Sequence, residues 1–497
     1  MRKYPLYIDG KFLETPNSQI IINPSNQEAI ASVSIAEEKE IELAASSARE
    51  AFDRGEWRTL SFSKRKEFIL KISQGILEKA QELATLESLN VGKPIKETTF
   101  MDIPSAAQTF DYFANNFEDF LKEEIIDIKT QIASCSAKII RQPQGVVVLI
   151  VPFNYPLLIA SWKMAQALAA GNSVILKPSI LTPLSVLELA KIIDSSGLPK
   201  GVVNILVGGG EKIGQLLCSD KRVDMISFTG SNSVGRKILN YTSQNIKKTI
   251  MELGGKSASI VLADCDLELA VNGSLCSIFL NCGQMCTAMS RIFVDEKIYK
   301  DFVEDFVNKT KKIKLGNPLD FQTQMGPLIS KEQHNKVLDF IEKAKKEGIT
   351  LACGGKTPSD PQLQNGFFVE PTVFLDVPKE AQIFKEEIFG PVVCINKFSN
   401  LEEAITLVNN SDFALAASIW TDNKELAEKL AQKINAGIIW INTYGMFFDQ
   451  LPYGGFKQSG FGKELGKVGF LEYTITKNIM VDNSFEAKPL INYWYGF

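Results

Sequence analysis

Three side chains of this sequence have the chemistry needed for covalent catalysis. Cys286 is a potential nucleophile in GQMCTA, where small neighbours leave room for a ligand. Glu252, in MELGGKS, has a carboxylate that can act as a general base through water. Asn154, in VPFNYP, has an amide that can donate to a developing oxyanion. The structural alternatives are a small buried hydrophobe for the cysteine, a solvated loop for the glutamate and a turn for the asparagine.

The base for this cysteine is the first question that the sequence raises, because a nucleophilic cysteine usually relies on histidine. The chain has 497 residues and one histidine, His334. His334 lies in KEQHNKVLDF, whose spacing predicts an amphipathic helix, so we interpret it as a surface residue. A papain-like hydrolase, which needs a histidine near the cysteine, is therefore the weaker alternative. The carboxylate of Glu252 is another candidate for the base, and the alternative of a solvated loop glutamate stays open at this point.

The elements that must position these residues are predicted by alternating apolar runs and amphipathic segments. Four runs predict buried strands: GVVVLIVP (145–152), NSVILKP (172–178), VVNILVG (202–208) and VDMISFTG (223–230). The segment that begins at Leu184 has helical spacing and ends at Gly197. This order predicts a doubly wound parallel sheet, in which ligands bind at the C-terminal ends of the strands.

A second α/β domain is predicted to begin near Gly255. Its strands would be the apolar runs at 258–264, 291–296, 391–398, 416–421 and 437–442. Residues 123–143 alternate apolar and polar types, which predicts an exposed hairpin, and residues 474–482 alternate likewise. Strands outside the main sheets favour an arm that pairs with another subunit, and a local two-stranded flap is equally consistent with the pattern.

Composition indicates an ordinary globular protein. Hydrophobic residues make up 45% of the chain, charged residues 23%, and the formal net charge is −4 without a basic arm, which argues against nucleic acid as the main partner. The sequence has neither an apolar stretch long enough to span a membrane nor the apolar core of a signal peptide at its start.

Eight scattered cysteines favour a reducing, cytoplasmic compartment. Cys282 and Cys286 would share one helix face, but without a second ligand pair we expect no metal site.

Further motifs at the ends of predicted strands have the chemistry to bind a nucleotide. Lys177, in KPS, could bond ribose or phosphate oxygens, and the alternative is a solvated loop lysine. In FTGSNSVG, Ser231 could cap a helix whose N–H groups receive a phosphate. The glycines at 208–210 lack the dinucleotide-binding spacing and predict a flexible loop. In EEIFGP, Glu387 and Phe389 could hold a ribose and a flat ring, or form a surface turn.

The order and spacing of these motifs carry more information than any one of them. VPFNYPLLIASWK, ILKPS, SFTGSNSVG, ELGGKS, GQMCTAMSR, KEEIFGPV and PYGGFKQSGFGKELG stand in one order within residues 6–480. In these strings the chain resembles the NAD(P)-dependent aldehyde dehydrogenase superfamily, in its hydrolytic, non-CoA-acylating form, and is similar to the general aldehyde, betaine aldehyde and retinal dehydrogenases. The resemblance implies a Rossmann-like cofactor domain (1–120 and 142–254), an α/β catalytic domain (255–458) and a β-strand oligomerisation arm (121–141 and 474–497).

The resemblance also implies a role for each candidate residue. Cys286 would be the nucleophile, Glu252 the general base, and Asn154 an oxyanion donor together with the backbone N–H of Cys286. Glu464 would pass protons outward. The cofactor, NAD or NADP, would be bound by Val151, Pro152, Phe153, Lys177, Ser179, Ile180, Gly230, Ser231, Gly235, Leu253, Glu387 and Phe389. The substrate path would be lined by Tyr155, Trp162, Met285, Tyr444, Phe447, Phe448 and Tyr453.

The expected reaction oxidises an aldehyde to the acid through a thiohemiacetal and a thioester of Cys286, and water activated by Glu252 hydrolyses the thioester. Ile180 departs from the family pattern, because many NAD-specific members have glutamate three residues after this lysine; we therefore expect both NAD and NADP to be used. The aromatic path favours hydrophobic aliphatic or aromatic aldehydes, with betaine aldehyde as the alternative. A cysteine-dependent esterase and a non-enzymatic structural protein are the alternatives of other classes. A homodimer or homotetramer is expected, and a protective disulfide between Cys282 and Cys286 is left open.

Overall fold

The computed structural model of the protein describes residues 1–129 and 134–483. Two large sheets dominate this part of the chain. The first, with eight described strands, has the order Gly460–Phe461, Lys248–Glu252, Met225–Thr229, Val146–Ile150, Ser173–Lys177, Val203–Ile205, Leu6–Ile8 and Lys11–Leu13. The second, with seven described strands, has the order Thr350–Cys353, Thr372–Leu375, Val392–Phe398, Arg291–Asp295, Ala258–Val261, Ala416–Trp420 and Ile438–Ile441.

The central strands of both sheets are parallel and buried, as their continuous apolar runs predict. In the first sheet Val148 pairs with Ile175 on one side and Ile226 on the other. In the second sheet Ser259 pairs with Ile292 and Ser418. The predicted strands and the α/β class are confirmed. The division into domains at residues 120, 254 and 458 stays a prediction.

The helices cover the sheets and carry their apolar faces inward. The α-helices of the described residues are Glu38–Asp53, Phe62–Glu78, Ala80–Val91, Ile95–Glu97, Ile103–Phe120, Pro156–Ala169, Leu184–Ser196, Gly210–Ser219, Asn232–Ser243, Leu267–Phe279, Tyr299–Thr310, Lys331–Lys346, Gln382–Lys385, Leu401–Asn409, Lys424–Lys433 and Gly466–Glu472. A π-helical turn spans Thr98–Asp102, and 3₁₀ turns span Trp57–Thr59, Leu280–Gly283 and Pro361–Leu363. Within the described ranges, no helix is both long and apolar enough to cross a membrane.

One loop prediction was wrong in part. Gly210, the last of three successive glycines, begins the helix Gly210–Ser219 instead of continuing a flexible loop. Helical φ and ψ are accessible to glycine, and the buried side chains of Ile213 and Leu217 hold the helix against the core. The predicted end of the preceding helix is confirmed, because Gly197 caps it with a φ of 78°, in the left-handed region that favours glycine.

Smaller sheets lie beside the two large ones. The strands Arg2–Tyr4, Ala29–Ser34 and Ser18–Ile22 form one, and Phe413–Ala414 pairs with Phe456–Lys457 in another. The predicted hairpin is present as Glu124–Lys129 and Ser134–Pro143, and Thr474–Asp482 adds antiparallel to its second strand. We call these three strands the arm sheet. Residues 130–133 and 484–497 of the predicted arm lie outside the described residues.

The candidate site lies at the C-terminal ends of strands in the first sheet and before the N-terminal ends of strands in the second. Lys177 and Glu252 are the last residues of strands in the first sheet. Cys286 and Phe389, in contrast, precede the strands that begin at Arg291 and Val392 in the second sheet. Residues separated by more than a hundred positions can therefore meet at this junction.

Candidate active site

A cavity of about 260 Å³ brings together the predicted nucleophile, the oxyanion donor and the predicted substrate residues. Its lining includes Cys286, Asn154, Tyr155, Trp162, Met285, Tyr444, Phe447, Phe448 and Tyr453. Leu158, Ile159 and Leu280 add aliphatic wall. The cavity therefore combines a mostly apolar wall with a few polar groups around the thiol, as is usual for a small-molecule site.

The Cys286 thiol is held at 3.0 Å from the hydroxyl oxygen of Tyr453. Burial raises the pKa of Cys286 to about 12, the hydrogen bond with Tyr453 opposes this rise, and the carboxylates of Glu387 and Glu252 add to it. The resting thiol is therefore protonated at neutral pH. A group that removes its proton has to be close by, and the charge of Glu252 is near enough to affect its titration.

The chain turns sharply just before the nucleophile. Asn281, Cys282 and Gly283 are all left-handed, with φ values of 48°, 56° and 70°. Residues other than glycine rarely adopt this region, so the turn needs support from outside. The prediction that Cys282 and Cys286 share one helix face was wrong, because this turn ends the helical path. Cys282 is buried, whereas Cys286 faces the cavity.

Glu97 supplies this support from a distant helix. Its two carboxylate oxygens lie 3.1 and 3.4 Å from the backbone nitrogen of Asn281, which donates to them. The amide of Asn281 in turn donates to the carbonyls of Asn154 at 3.1 Å and Gln284 at 3.3 Å. Asn154 itself donates to the Gln284 carbonyl at 2.8 Å. One network thus fixes both the oxyanion donor and the loop that carries Cys286.

Glu97 belongs to a buried group of charges below the cavity. Lys93 pairs with Asp102 at 2.6 Å, and its ammonium lies 3.2 Å from the ring centroid of Tyr155. Burial raises the pKa of Glu97 to about 8, opposed by the charge of Lys93 and increased by Asp102. The Glu97 carboxyl is therefore mostly neutral at pH 7. Neither residue pattern nor spacing signals this role, because Glu97 and Asn281 are far apart along the chain.

Glu252 is a buried carboxylate rather than a solvated loop residue. Its side chain is 3% exposed, and neither of its oxygens has a hydrogen-bond partner among the described residues. Burial first, and then the charge of Glu464, raises the pKa of Glu252 well above its ordinary value, while Lys163 and Lys463 oppose the rise. A carboxyl with so high a proton affinity has the properties of a general base.

Glu464, in contrast, is fully paired. It accepts from Lys163 at 2.6 Å, from Ser227 at 2.8 Å and from Gln166 at 2.9 Å. Its backbone also exchanges two hydrogen bonds with that of Tyr453, at 2.7 and 2.8 Å. Glu464 thus connects the buried polar network with the backbone segment that holds Tyr453 against the thiol.

The predicted cofactor residues follow the ends of the first sheet's strands. Lys177 is 5% exposed, and its ammonium donates to the Pro178 carbonyl at 3.1 Å; burial lowers its pKa to about 8. The alternative of a solvated loop lysine is wrong. Ser231 accepts from the backbone N–H of Val234 and so caps the helix Asn232–Ser243, as predicted.

The other predicted cofactor residues lie at the same junction, and several of them contact one another or a neighbouring residue. Gly235 packs so closely on Leu253 that an added Cβ would lie 2.8 Å from its Cδ2. Glu387 accepts from the backbone N–H of Gly255 at 2.9 Å. The rings of Phe153 and Phe389 meet edge to face, with centroids 5.6 Å apart. Of the rest, Gly230 donates its N–H to the Glu252 carbonyl, Val151 is buried, and Pro152, Ser179 and Ile180 are partly buried.

These residues fit a dinucleotide. The buried ammonium of Lys177 suits ribose or phosphate oxygens, and the capped end of the helix Asn232–Ser243 offers N–H groups to a phosphate. The carboxylate of Glu387 and the ring of Phe389 suit a second ribose and a flat ring. Among the described residues, no group of three or more His, Cys, Asp or Glu side chains could hold a metal ion.

Two carboxylates at the cavity were missed by the sequence analysis. Asp102 lines the cavity and is paired with Lys93. Asp449 also lines it and accepts from Thr109 at 2.8 Å; burial raises the pKa of Asp449 to about 6. Neither lies in a motif, so only the three-dimensional arrangement reveals them. Phe100 and Met101, in the π-helical turn, are further apolar lining residues that were missed.

His334 lies away from this group. It is partly buried in the helix Lys331–Lys346, where its ring nitrogen Nε2 is 3.2 Å from the carbonyl oxygen of Phe368. The helical position agrees with the prediction, although the ring is less exposed than a surface residue would be. In the part of the chain that the structure describes, the hydrogen-bond partner of Cys286 is Tyr453 and not a histidine.

Comparisons with known proteins identify relatives along nearly the whole chain. Residues 13–479 match the aldehyde dehydrogenase family. Betaine aldehyde dehydrogenase of Bacillus subtilis is 44% identical over 493 residues, 99% of each chain. Retinaldehyde dehydrogenase 3 of Mus musculus is 42% identical over 92% of this chain and 88% of its own. A point mutant of betaine aldehyde dehydrogenase from Staphylococcus aureus, solved with NAD+ and a modified cysteine, has a TM-score of 0.95 at 40% identity and 99% coverage of both chains. The NAD+ complex of an aldehyde dehydrogenase from Bacillus cereus has a TM-score of 0.94 at 39% identity and 97% coverage of both.

The support of the left-handed turn by Glu97 can be tested directly. Glu97→Ala leaves the buried N–H of Asn281 without an acceptor, which costs about 1–3 kcal/mol. We expect a lower melting temperature and slower alkylation of Cys286, measured by thermal unfolding and by iodoacetamide labelling. Glu97→Gln keeps an acceptor oxygen and resembles the mostly neutral carboxyl, so it should stay close to the wild type. Equal behaviour of the alanine variant and the wild type in both measurements would contradict the role.

Proposed function

Because the chain belongs to the aldehyde dehydrogenase family, we propose that it oxidises an aldehyde, of a broad hydrophobic aliphatic or aromatic range, to the carboxylic acid with NAD or NADP. The observation that carries this proposal is the meeting of Cys286 and Asn154 in one cavity, beside the unpaired carboxylate of Glu252. We propose these three as the catalytic residues.

In the first half of the reaction the thiolate of Cys286 attacks the aldehyde carbon. The thiol proton passes to Glu252, directly or through water, since this carboxylate has free oxygens and a raised pKa. The oxyanion that forms accepts hydrogen bonds from the amide of Asn154 and the backbone N–H of Cys286. Asn154 is well oriented for this, because its own contact with Gln284 fixes the plane of its amide.

NAD or NADP, when bound, would supply the oxidising power by accepting the hydride that the thiohemiacetal of Cys286 loses on becoming a thioester. Glu387 and Phe389 would hold the nicotinamide end, and Lys177 the adenosine ribose. Gly230, Ser231 and Gly235 would border the pyrophosphate. Val151, Pro152, Phe153, Ser179, Ile180 and Leu253 would complete the cofactor site.

In the second half of the reaction Glu252, after releasing the thiol proton towards the solvent, removes a proton from water, which attacks the thioester carbon and releases the acid and the Cys286 thiolate. The removed proton needs a route to the solvent. Glu464 is the candidate for it, because it affects the titration of Glu252 and is bonded to Lys163, Ser227 and Tyr473. In this proposal the unpaired Glu252 accepts the proton and the paired Glu464 passes it towards the solvent.

The substrate wall favours apolar aldehydes, and Tyr155, Trp162, Met285, Tyr444, Phe447 and Tyr453 would contact them. A second candidate substrate class is an aldehyde with a cationic head, such as betaine aldehyde. The observation that favours it is Asp449, a carboxylate in the aromatic wall with a pKa of about 6. When ionised, Asp449 would attract a quaternary ammonium that also stacks on aromatic faces.

A homo-oligomer, either a dimer or a tetramer, is proposed from the arm sheet. Its strands expose apolar side chains, among them Ile125, Ile126, Ile479, Met480 and Val481, which a second subunit could cover. A cytoplasmic location is proposed from the cysteines, all eight of which are free thiols that a reducing compartment maintains.

The catalytic roles predict different defects for two substitutions. Cys286→Ala should abolish aldehyde oxidation with both cofactors. Glu252→Gln should slow turnover by about 10²–10⁴-fold, the usual contribution of a general base, while one equivalent of reduced cofactor still forms per site. Wild-type turnover should rise with pH, because the raised pKa keeps Glu252 protonated in acid, and the rise should vanish in Glu252→Gln. Stopped-flow absorbance of the reduced cofactor measures both phases. Activity that survives Cys286→Ala would overturn the mechanism.

Cofactor choice should depend on residue 180. The partly buried Ile180 offers no charge to repel a 2′-phosphate, so kcat/KM for NAD and NADP should be comparable. Ile180→Glu places a carboxylate near the ribose and should shift the preference towards NAD. Ile180→Gln, which adds bulk without charge, is the matched control. A wild-type preference for NAD above about 10³-fold, equivalent to about 4 kcal/mol, would contradict the prediction.

Competition among hexanal, benzaldehyde and betaine aldehyde should identify the substrate class. We expect the apolar aldehydes to have the higher kcat/KM, and dominance of betaine aldehyde would establish the second candidate instead. Asp449→Asn separates the two cases, because it removes a charge and keeps the shape. It should raise KM for betaine aldehyde about tenfold, by loss of roughly 1.4 kcal/mol of attraction, and leave KM for hexanal unchanged.

A further inference from the structure

The hydroxyl of Tyr453 occupies a position that packing alone does not require. Its oxygen is 3.0 Å from the Sγ of Cys286, well within hydrogen-bond range for sulfur. The aromatic ring is held by Trp162, with centroids 5.0 Å apart, and by Phe447, at 5.7 Å. A phenylalanine would keep these ring contacts, so packing of the ring does not account for the hydroxyl. The hydroxyl contacts the Cys286 thiol instead.

The backbone fixes Tyr453 as firmly as the ring does. Tyr453 and Glu464 exchange N–H to carbonyl hydrogen bonds at 2.7 and 2.8 Å. The next residue, Gly454, has a φ of 138°, and a side chain there would collide with the Glu252 carboxylate. The hydroxyl is therefore held in place relative to both the thiol and the base.

The direction of the hydrogen bond follows from the titration of the two groups. Burial raises the pKa of Tyr453 well above its ordinary value of about 10, so the phenol keeps its proton at every pH at which an enzyme works. A thiolate has no proton to give. Once Cys286 ionises, Tyr453 must be the donor.

We propose that the Tyr453 hydroxyl is a catalytic group that holds the Cys286 sulfur and stabilises its thiolate with a donated hydrogen bond. This inference rests on the proposed role of Cys286 as the nucleophile and goes beyond a role for Tyr453 in the substrate wall. It assigns to a tyrosine part of the work that a histidine performs for other cysteine nucleophiles, with Glu252 as the proton acceptor.

Tyr444 is a natural control for this proposal. It lines the same cavity, but its hydroxyl lies 3.2 Å from Thr287 Oγ1 and 3.8 Å from Met285 Sδ. Tyr444→Phe and Tyr453→Phe each remove one hydroxyl from the cavity and so change its polarity to the same extent. Only Tyr453→Phe also removes a hydrogen bond to Cys286.

The first experiment is the rate of iodoacetamide alkylation at neutral pH, without cofactor or aldehyde. Labelling at Cys286 is followed by peptide mass spectrometry, because the other cysteines are also free. Below the thiol pKa this rate follows the thiolate fraction, and a hydrogen bond to a charged group is worth about one pKa unit or more, so Tyr453→Phe should slow labelling about tenfold. Tyr444→Phe should keep the wild-type rate. Equal rates for Tyr453→Phe and wild type would overturn the proposal.

A second variant keeps the test decisive if Tyr453→Phe folds poorly. Difluorotyrosine incorporated at position 453 has a more acidic phenol, which is a stronger donor, in nearly the same shape. It should raise the labelling rate at neutral pH, in the direction opposite to Tyr453→Phe. A residue that merely packs would change the rate in neither variant, and that result would also overturn the proposal.

Single-turnover acylation by p-nitrophenyl acetate separates the chemical steps. The Sγ–carbonyl bond forms, p-nitrophenolate leaves with the electron pair of the broken C–O bond, and the thiol proton passes to Glu252 or the solvent. Tyr453→Phe should slow the burst about tenfold at neutral pH and slow hydrolysis of the acyl-enzyme less, because the attack of water on the thioester precedes release of the thiolate. Equal slowing of both phases would contradict a specific role at the thiolate.

These outcomes are distinguishable from failure of the proposed function. Alkylation and ester acylation need neither an aldehyde nor a nicotinamide. If the wild type did not oxidise aldehydes, the proposed function would fall, while the alkylation rates would still decide the role of Tyr453. If those rates were equal, the role of Tyr453 would fall and dehydrogenase activity would stand.

Discussion

The left-handed turn at Asn281, Cys282 and Gly283 is the constraint on which the active site depends. The turn directs Cys286 into the cavity and leaves Cys282 in the core. Two non-glycine residues in this conformation cost about 1–2 kcal/mol each, and the surrounding hydrogen bonds must offset that cost. They come from Glu97 and from the amide of Asn281, which also fixes the backbone of Asn154. The proposed nucleophile and the proposed oxyanion donor are therefore positioned by one network rather than by two.

Buried charge is distributed unevenly around this network. Lys93 with Asp102, and Lys163 with Glu464, form close pairs, as buried charges usually must. Glu252 has no such partner within the described residues, and the cost of burying it appears as a raised pKa. The oxygens of Glu464 are occupied by hydrogen bonds, whereas those of Glu252 have no protein partner within the described residues. In the proposed mechanism this unpaired state leaves Glu252 open to accept a proton.

Much of the fold and of the site was predictable from the sequence, because both depend on local patterns. Buried parallel strands are continuous apolar runs, and residues such as Asn154 and Lys177 follow them directly. Glu97, Asp102 and Asp449 were not predictable, because each acts through a partner that is remote in sequence. The turn before Cys286 was mispredicted for a related reason: spacing alone favours a helix there, and the left-handed conformation is stabilised by the remote Glu97 and by the bonds of the Asn281 amide.

The scarcity of histidine in this chain also acquires a physical explanation. A histidine paired with a thiol favours an ion pair at rest, whereas here burial keeps Cys286 protonated and Glu252 avid for protons. Such a site needs a donor that can stabilise a thiolate without competing for the proton, and a buried tyrosine meets this requirement over the whole working pH range. In the proposed mechanism Glu252 then remains unpaired at rest and acts on the thiol and on water in turn. The single histidine, His334, lies in the helix Lys331–Lys346, where its ring bonds to a backbone carbonyl.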